Sequence, residues 1–190
     1  MLTPITCEAL ATALAYPTEH TAAAALAGVG QLPPGHPRVV AALHAIAEQL
    51  AGGVHAAEER YTLLFDLKPV CTLNIAWHIF GDTYARGALL AQLVPELDRY
   101  GVDHRHDLPD YLPTLLRLLG RIEDDEDRQL LTHAVILPGL SKIARTLKHS
   151  KDPWALLLTA LVELLEEEIP KRGRTDIPVP RRALRVLPPC

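Results

Sequence analysis

The sequence feature that most constrains the fold is an apolar stripe in residues 153–169. Its large side chains recur at spacings of three and four positions: Trp154, Leu157, Leu158, Leu161, Leu164 and Leu165. Four glutamates, Glu163, Glu166, Glu167 and Glu168, stand among the remaining positions. This period predicts an amphipathic helix whose apolar side packs against other helices.

The composition favours helices along the whole chain. Of the 190 residues, 48% are apolar, and leucine and alanine dominate that set, whereas aromatic residues make up only 5%. This apolar content is sufficient for one substantial core. We therefore predict an all-α, single-domain helical bundle of about eight to ten helices over residues 1–170, with little or no sheet.

Capping residues, prolines and glycines divide the predicted bundle into helices. Residues 72–80 are apolar on nearly all sides, which predicts a centrally buried helix. Asp82 is a candidate N-cap for the next helix. The predicted ranges are about 3–15, 20–27, 38–50, 56–64, 72–80, 83–100, a helix ending near 121, 125–136, 138–148 and 153–169.

Charge is distributed unevenly along the chain. Residues 171–190 hold six of the 19 Lys and Arg residues and one of the 23 acidic residues, which leaves a net charge of about −9 in residues 1–170. Such an acidic body repels nucleic acid and attracts basic segments. The tail, residues 171–190, is rich in proline and arginine and has no amphipathic period, so we predict that it is extended or disordered.

The cysteines and the hydropathy of the chain indicate the cellular compartment in which the protein is expected. Cys7, Cys71 and Cys190 are far apart and form no CxxC pair and no zinc-ligand spacing with histidine. The N-terminal residues lack the basic and apolar regions of a signal peptide, and no stretch of about 18 uncharged apolar residues occurs. We expect a cytoplasmic protein without disulfides or a membrane-spanning helix.

Enzymatic motifs are absent from the sequence, which has no GxGxxG, P-loop, HExxH or GxSxG pattern. Cys71 and His78 lie seven positions apart and would face the same way on one helix, which leaves open a small metal- or thiol-dependent enzyme. The alternative is a buried thiol and a hydrogen-bonded core histidine. We favour that alternative and expect no catalytic residue, no metal and no cofactor.

A cluster of aromatic, small and charged residues recurs at the ends of predicted helices. An apolar surface rimmed by carboxylates would suit an amphipathic peptide with basic side chains. Alternatively, Asp82 and Asp110 cap helices, Arg86 pairs with a neighbour and the aromatic rings fill the core. The cluster comprises Tyr61, Phe65, Asp66, His78, Gly81, Asp82, Arg86, Gly87, Pro109, Asp110 and Tyr111.

Three sequence blocks in this cluster resemble the NarJ family, also called the nitrate reductase delta subunit, within the TorD/DmsD class of redox-enzyme maturation proteins. The blocks are ERYTLLFDL at 59–67, HIFGD at 78–82 followed by Arg86-Gly87, and LPDYLP at 108–113. They occur in the family's order and spacing. With weaker similarity on both sides, the resemblance covers roughly residues 8–168.

The resemblance implies a cytoplasmic chaperone that binds the N-terminal segment of a molybdoenzyme catalytic subunit, with respiratory nitrate reductase as the first candidate. It implies help with molybdenum cofactor and iron-sulfur insertion before membrane attachment or export. The expected protein is a monomer or weak dimer that binds no nucleic acid and meets the membrane only through its client. A permanent structural subunit of a redox complex remains an alternative.

The resemblance also suggests roles for individual residues. Tyr61, Phe65 and Tyr111 are expected to form apolar walls of a peptide groove. Asp66, Asp82 and Asp110 are expected to meet basic peptide side chains or to cap helices beside the groove, with Arg86 among them. His78 is expected to tune peptide affinity with pH. The basic tail has no counterpart in the family pattern and could engage the acidic groove, a membrane surface or nothing.

Overall fold

The computed structural model describes residues 2–67 and 71–170. The all-α prediction is confirmed for this part of the chain, where the sheet-like pairing amounts to one bridge between Asn74 and Tyr111. The predicted tail and its boundary with the bundle, residues 171–190, lie outside the described residues. The helices are α1 Pro4–Leu14, α2 Thr21–Val29, α3 Pro37–Ala51, α4 Val54–Tyr61, α5 Ile75–Phe80, α6 Tyr84–Arg99, α7 Leu112–Arg121, α8 Asp125–Leu130, α9 Leu137–Thr146 and α10 Pro153–Glu168.

Two π-helical segments extend these helices. Thr62–Asp66 continues α4, and Leu131–Ile136 joins α8 to α9 in one continuous helix. The predicted break between residues 136 and 138 is therefore wrong. The wider π turn accommodates Pro138, which has no N–H to donate, near the start of α9. Counted as continuous helices, the described residues contain nine, within the predicted range.

The hydrophobic core lies between α1, α3, α7 and α10. α1 packs against α7 and α2, while α10 packs against α3 and α9. Leu14, Leu115 and Leu161 are fully buried in this core. Trp154, from the apolar stripe, is also fully buried, and its ring N–H donates to the carbonyl of Ala13 at 2.9 Å. The amphipathic pattern of residues 153–169 thus places α10 at the centre of the bundle.

The start of α5 differs from the prediction. Residues 72–74 are not helical, because the carbonyl of Leu73 accepts from the N–H of Leu112 at 2.9 Å and the carbonyl of Asp110 accepts from the N–H of Ile75 at 2.9 Å. This backbone pairing holds the segment before α5 beside the start of α7. The prediction that Cys71 and His78 lie on one helix is therefore wrong, since α5 begins only at Ile75.

The turn between α5 and α6 also differs from the prediction. Thr83, rather than Asp82, is the N-cap of α6, and the Asp82 side chain is exposed. The preceding residue, Gly81, ends α5 with a φ of 63°, a left-handed conformation that glycine adopts without steric cost. This turn carries the chain from α5 into α6 within three residues.

The helices are short relative to a bilayer. Among the described residues, no helix combines the length and apolarity needed to cross a membrane.

Candidate functional site

Asp110 is the central residue of the predicted cluster, and the structure places it inside the protein. Its side chain is 0% exposed. Asp110 Oδ2 accepts a hydrogen bond from the N–H of Ala76 at 3.1 Å, and its backbone carbonyl accepts from the N–H of Ile75. Both donors belong to the first turn of α5, whose N–H groups have no partner within the helix. Asp110 therefore caps α5 from the loop before α7.

Arg86 extends from α6 to the same carboxylate. Its Nε lies 3.5 Å from Asp110 Oδ2, and its guanidinium carbon lies 5.5 Å from the centre of the Trp77 ring. Burial raises the pKa of Asp110, although the positive charge of Arg86 opposes that shift. Within the described residues, Asp110 Oδ1 and Arg86 Nε are buried without a hydrogen bond. The pair joins α5, α6 and the start of α7 through charge and stacking.

The hydroxyl groups of Tyr61 and Tyr111 lie within hydrogen-bond distance of each other. The Tyr61 hydroxyl donates to the carbonyl of Leu14 at 2.8 Å and lies 2.9 Å from the Tyr111 hydroxyl, which can donate to it. The Tyr61 ring makes edge contacts with Phe65 and Trp154, with centroid separations of 4.7 and 5.6 Å. Tyr61 and Phe65 are each only 3% exposed. Their rings therefore lie in the protein interior and do not form the sides of an open groove here.

His78 connects α5 to the preceding loop and to α9. Its Nε2 lies 2.6 Å from the carbonyl of Thr72, to which it donates, and its backbone carbonyl accepts from Lys142 Nζ at 2.6 Å. Burial lowers the pKa of His78. The ring therefore fixes the loop before α5, while the carbonyl connects α5 to α9.

Asp66 is exposed, and so is Asp107, a residue absent from the predicted cluster. Both carboxylates affect Tyr61 and Tyr111. Burial, together with the charges of Asp107 and Asp66, raises the pKa of Tyr111 to about 12. Burial and the same two carboxylates raise the pKa of Tyr61 as well. The segments 62–67 and 107–111 therefore lie near each other around Tyr111.

Large apolar side chains are exposed on these two segments. Leu63 is 57% exposed, Leu67 65% and Leu108 45%. Leucine is usually among the buried residue types, so several exposed leucines beside carboxylates mark a candidate interaction surface. We define the leucine–aspartate surface by its exposed members, Leu63, Asp66, Leu67, Asp107 and Leu108.

The structure divides the predicted site residues into three groups. Tyr61, Phe65 and Tyr111 lie beneath the leucine–aspartate surface, to which Asp66 belongs. His78, Arg86 and Asp110 hold the α5 region. Asp82 stands apart in the exposed turn before α6.

Sequence reasoning missed Trp77, Lys142 and Asp107. Trp77 and Lys142 act through contacts between different helices, which helical periodicity does not reveal. Asp107 could have been found, because it directly precedes the block at 108–113 and repeats the pattern of an aspartate beside a leucine.

The metal- or thiol-dependent enzyme would need a cluster of ligands or a reactive cysteine. Cys7 and Cys71 are both buried. Over residues 2–67 and 71–170, no group of three or more His, Cys, Asp or Glu side chains is arranged to hold a metal ion.

Comparison with known sequences places these segments within one family. A family model described as nitrate reductase delta subunit matches residues 31–160. A probable nitrate reductase molybdenum cofactor assembly chaperone, NarW of Escherichia coli K12, is 29% identical over 102 residues, covering 53% of this chain and 43% of NarW. The nitrate reductase molybdenum cofactor assembly chaperone NarJ of the same strain is 26% identical over 132 residues, covering 64% of this chain and 55% of NarJ. The chain thus spans about half the length of these curated relatives.

Proposed function

Because this chain belongs to the nitrate reductase delta subunit family, we propose that it is an assembly chaperone for a molybdoenzyme catalytic subunit. It binds the N-terminal segment of the apo subunit, with respiratory nitrate reductase as the first candidate client. Binding keeps that subunit competent for insertion of the molybdenum cofactor and iron-sulfur clusters before membrane attachment or export. The similarity to NarJ, a nitrate reductase molybdenum cofactor assembly chaperone, and to NarW, a probable one, supports this proposal.

The observation that carries the proposal is the leucine–aspartate surface. Leu63, Leu67 and Leu108 expose apolar area, and Asp66 and Asp107 place negative charge beside it. An amphipathic client segment would cover the leucines with its apolar side and direct basic side chains to the aspartates. All five residues lie within the stretch that matches the family model.

The buried residues of the cluster support this surface. The rings of Tyr61 and Phe65 pack against each other in the interior, and Phe65 belongs to the 62–67 segment. The hydroxyl contact between Tyr61 and Tyr111 connects this packing to the 107–111 segment. Arg86, His78 and Asp110 fix the neighbouring helices. In this proposal they position the surface, while exposed Asp82 offers a further carboxylate to the client from the turn before α6.

The proposed chaperone acts by mass action and needs no catalytic residue or cofactor. A protein that binds one state of its client raises the population of that state and withholds it from premature partners. We propose that it acts in the cytoplasm as a monomer or weak dimer and contacts the membrane only through its client. Its acidic body disfavours binding to nucleic acid.

Calorimetric titration of the full chain with the N-terminal peptide of a nitrate reductase catalytic subunit tests the proposal. We expect saturable binding that weakens as salt rises, because salt screens the aspartates. The variant Asp66→Lys/Asp107→Lys should bind about tenfold more weakly, since each exposed ion pair contributes up to about 1 kcal/mol.

A charge-matched variant provides the control for that titration. Glu48→Lys/Glu166→Lys changes net charge equally but alters exposed positions on α3 and α10. Its affinity should stay within about twofold of the unmodified protein, because exposed charges beyond a Debye length of about 10 Å are largely screened at 0.1 M salt. Equal losses in the two variants, or no binding by the folded protein, would contradict the proposed surface.

The permanent-subunit alternative predicts a different outcome. A structural subunit would co-purify with the active enzyme in fixed stoichiometry, whereas a chaperone would be recovered with the apo subunit and released from the mature enzyme. Quantifying the chain in both preparations by mass spectrometry separates the two possibilities.

A further inference from the structure

A second apolar groove lies on elements that do not form the leucine–aspartate surface. It runs between α6, α7 and the continuous helix that contains α8, and it holds a cavity of about 60 Å³. This volume is less than half of a cavity of ~150 Å³ that accepts benzene, so the cavity suits a single aliphatic side chain. The apolar lining includes Leu93, Leu118, Ile122, Leu131 and Val135.

The rim of this groove is acidic. Glu96 from α6 and Asp127 from α8 line it directly. The exposed acidic residues 123–126 precede and begin the same helix. An apolar floor with this rim would accept a segment that alternates aliphatic and basic side chains.

The chain leaves its last described helix beside the helix that forms one side of the groove. The carbonyl of Ile169, just after α10, accepts a hydrogen bond from His133 Nε2 at 2.7 Å. His133 lies in the π-helical segment between Leu131 and Val135, which line the groove. The residues that follow Pro170 therefore begin next to the helix that forms one side of the groove.

We propose that residues 171–190 of the same chain occupy this groove. Aliphatic residues Val179, Leu184 and Leu187 are interspersed in that segment with its basic residues. The segment holds six Lys and Arg and one acid, which complements the rim. Twenty residues can span up to ~70 Å when extended, so reach does not limit the contact.

Because residues 171–190 are covalently attached to the bundle, a weak contact is sufficient to hold them in the groove. A tethered segment acts at an effective concentration in the millimolar range, so a few aliphatic and ionic contacts can fill the groove. An occupied groove is closed to other basic segments. The tail would thereby restrict client binding to the leucine–aspartate surface, a consequence that does not depend on which client binds there.

A spin label on Cys190 tests the contact in the full chain. Cys7 and Cys71 are buried, and burial raises the pKa of Cys7 to about 11, so Cys190 can be labelled under native conditions. We expect the nitroxide to reduce the methyl signals of Leu93, Leu131 and Val135 to less than about half, because tethering keeps the tail end near the groove. Methyl signals of Leu63 and Leu108 should keep their intensity.

Two test variants, one control variant and one dilution series decide the result. Arg181→Glu/Arg182→Glu/Arg185→Glu and, separately, Glu96→Lys/Asp127→Lys should restore the groove signals, whereas Glu48→Lys/Glu166→Lys should not. Unchanged groove signals in the labelled protein would overturn the proposal. Signal loss at Leu63 and Leu108 instead, or loss that vanishes on dilution, would place the tail on the other surface or on a second copy and would overturn it equally.

Discussion

Asp110 caps the first turn of a helix to which it does not belong, because its Oδ2 accepts the N–H of Ala76 at 3.1 Å. The two residues are 34 positions apart, and α6 lies between them in the chain. Arg86 approaches the same oxygen from α6, so one buried carboxylate connects the starts of α5 and α7 to α6. The orientation of these helices therefore depends on a contact that no local sequence signal specifies.

Replacing Asp110 tests this connection. Asp110→Ala should lower the free energy of unfolding by about 3 kcal/mol, because it leaves the Ala76 N–H uncapped and removes the partner of a largely buried arginine. Asp110→Asn keeps an acceptor for the Ala76 N–H but also removes the charge opposite Arg86, so it should lose about 1 kcal/mol less than Asp110→Ala. Urea unfolding of both variants measures the difference. Equal losses would show that the charge, rather than the cap, stabilises this region.

The position of Gly139 on α9 leads to a second prediction, which concerns the contact between α9 and α5. A Cβ at this position would lie 2.6 Å from the carbonyl oxygen of Ile75 and 2.7 Å from its Cγ2. Gly139→Ala should therefore destabilise the protein by about 1–3 kcal/mol, despite the better helix propensity of alanine.

Gly87 provides the matched control for this helix-to-helix contact. It lies within α6, and a Cβ there would meet no atom within 4 Å. Gly87→Ala should raise the free energy of unfolding by up to about 1 kcal/mol, because alanine favours the helix. Thermal and urea unfolding would reveal the opposite signs. Stabilisation by both substitutions would mean that α5 and α9 are separated more widely than described.

Periodicity predicted much of this fold because most helices present one continuous apolar side to the core. The stripe of residues 153–169 is an example, since Trp154 and Leu161 are both fully buried. Periodicity failed at residues 72–74, because a short segment with a single large apolar side chain, Leu73, suits a buried helix and an extended segment equally. The pairing of Leu73 with Leu112 decides between them, and that pairing is long-range.

The candidate site was predicted in part, because its members recur at the ends of helices that meet in space. The approach of Arg86 to Asp110 and of Tyr61 to Tyr111 brings these sequence blocks together. Exposure could not be predicted in the same way. An aromatic side chain at helical spacing suits either a core or a groove, and the packing of Trp154 against Tyr61 places that tyrosine in the core.

The tyrosine pair leads to a prediction about stability. Tyr61→Phe removes the donor to the buried carbonyl of Leu14 and should cost about 1–2 kcal/mol. Tyr111→Phe should cost less, because Tyr111 is only partly buried. A double-mutant cycle measured by urea unfolding gives the coupling between the two hydroxyl groups. A coupling energy of zero would show that the 2.9 Å contact contributes nothing.

His78 predicts a pH dependence of stability. Burial lowers the pKa of folded His78 below its usual value of 6.5, so the unfolded chain takes up a proton at a higher pH than the folded one. Stability contributed by neutral His78 is present above pH 6.5 and falls as pH decreases through 6.5 towards the lowered pKa. The difference in unfolding free energy between wild type and His78→Gln should therefore shift against wild type between about pH 7 and pH 5. A difference independent of pH would contradict this assignment.

Exposed leucines provide the most direct separation of binding from stability. Leu63→Ser/Leu108→Ser should lower the free energy of unfolding by no more than about 1 kcal/mol per site, because Leu63 is 57% and Leu108 45% exposed, so each buries only about half of its surface. The same variant should bind the client peptide at least about tenfold more weakly, since it removes apolar area that the peptide would cover. Leu26→Ser/Leu156→Ser removes leucines of similar exposure, 48% and 46%, from α2 and α10 and should leave peptide affinity unchanged. If both variants weaken binding equally, the peptide recognises general surface hydrophobicity, whereas a loss confined to Leu63 and Leu108 locates the client on the leucine–aspartate surface.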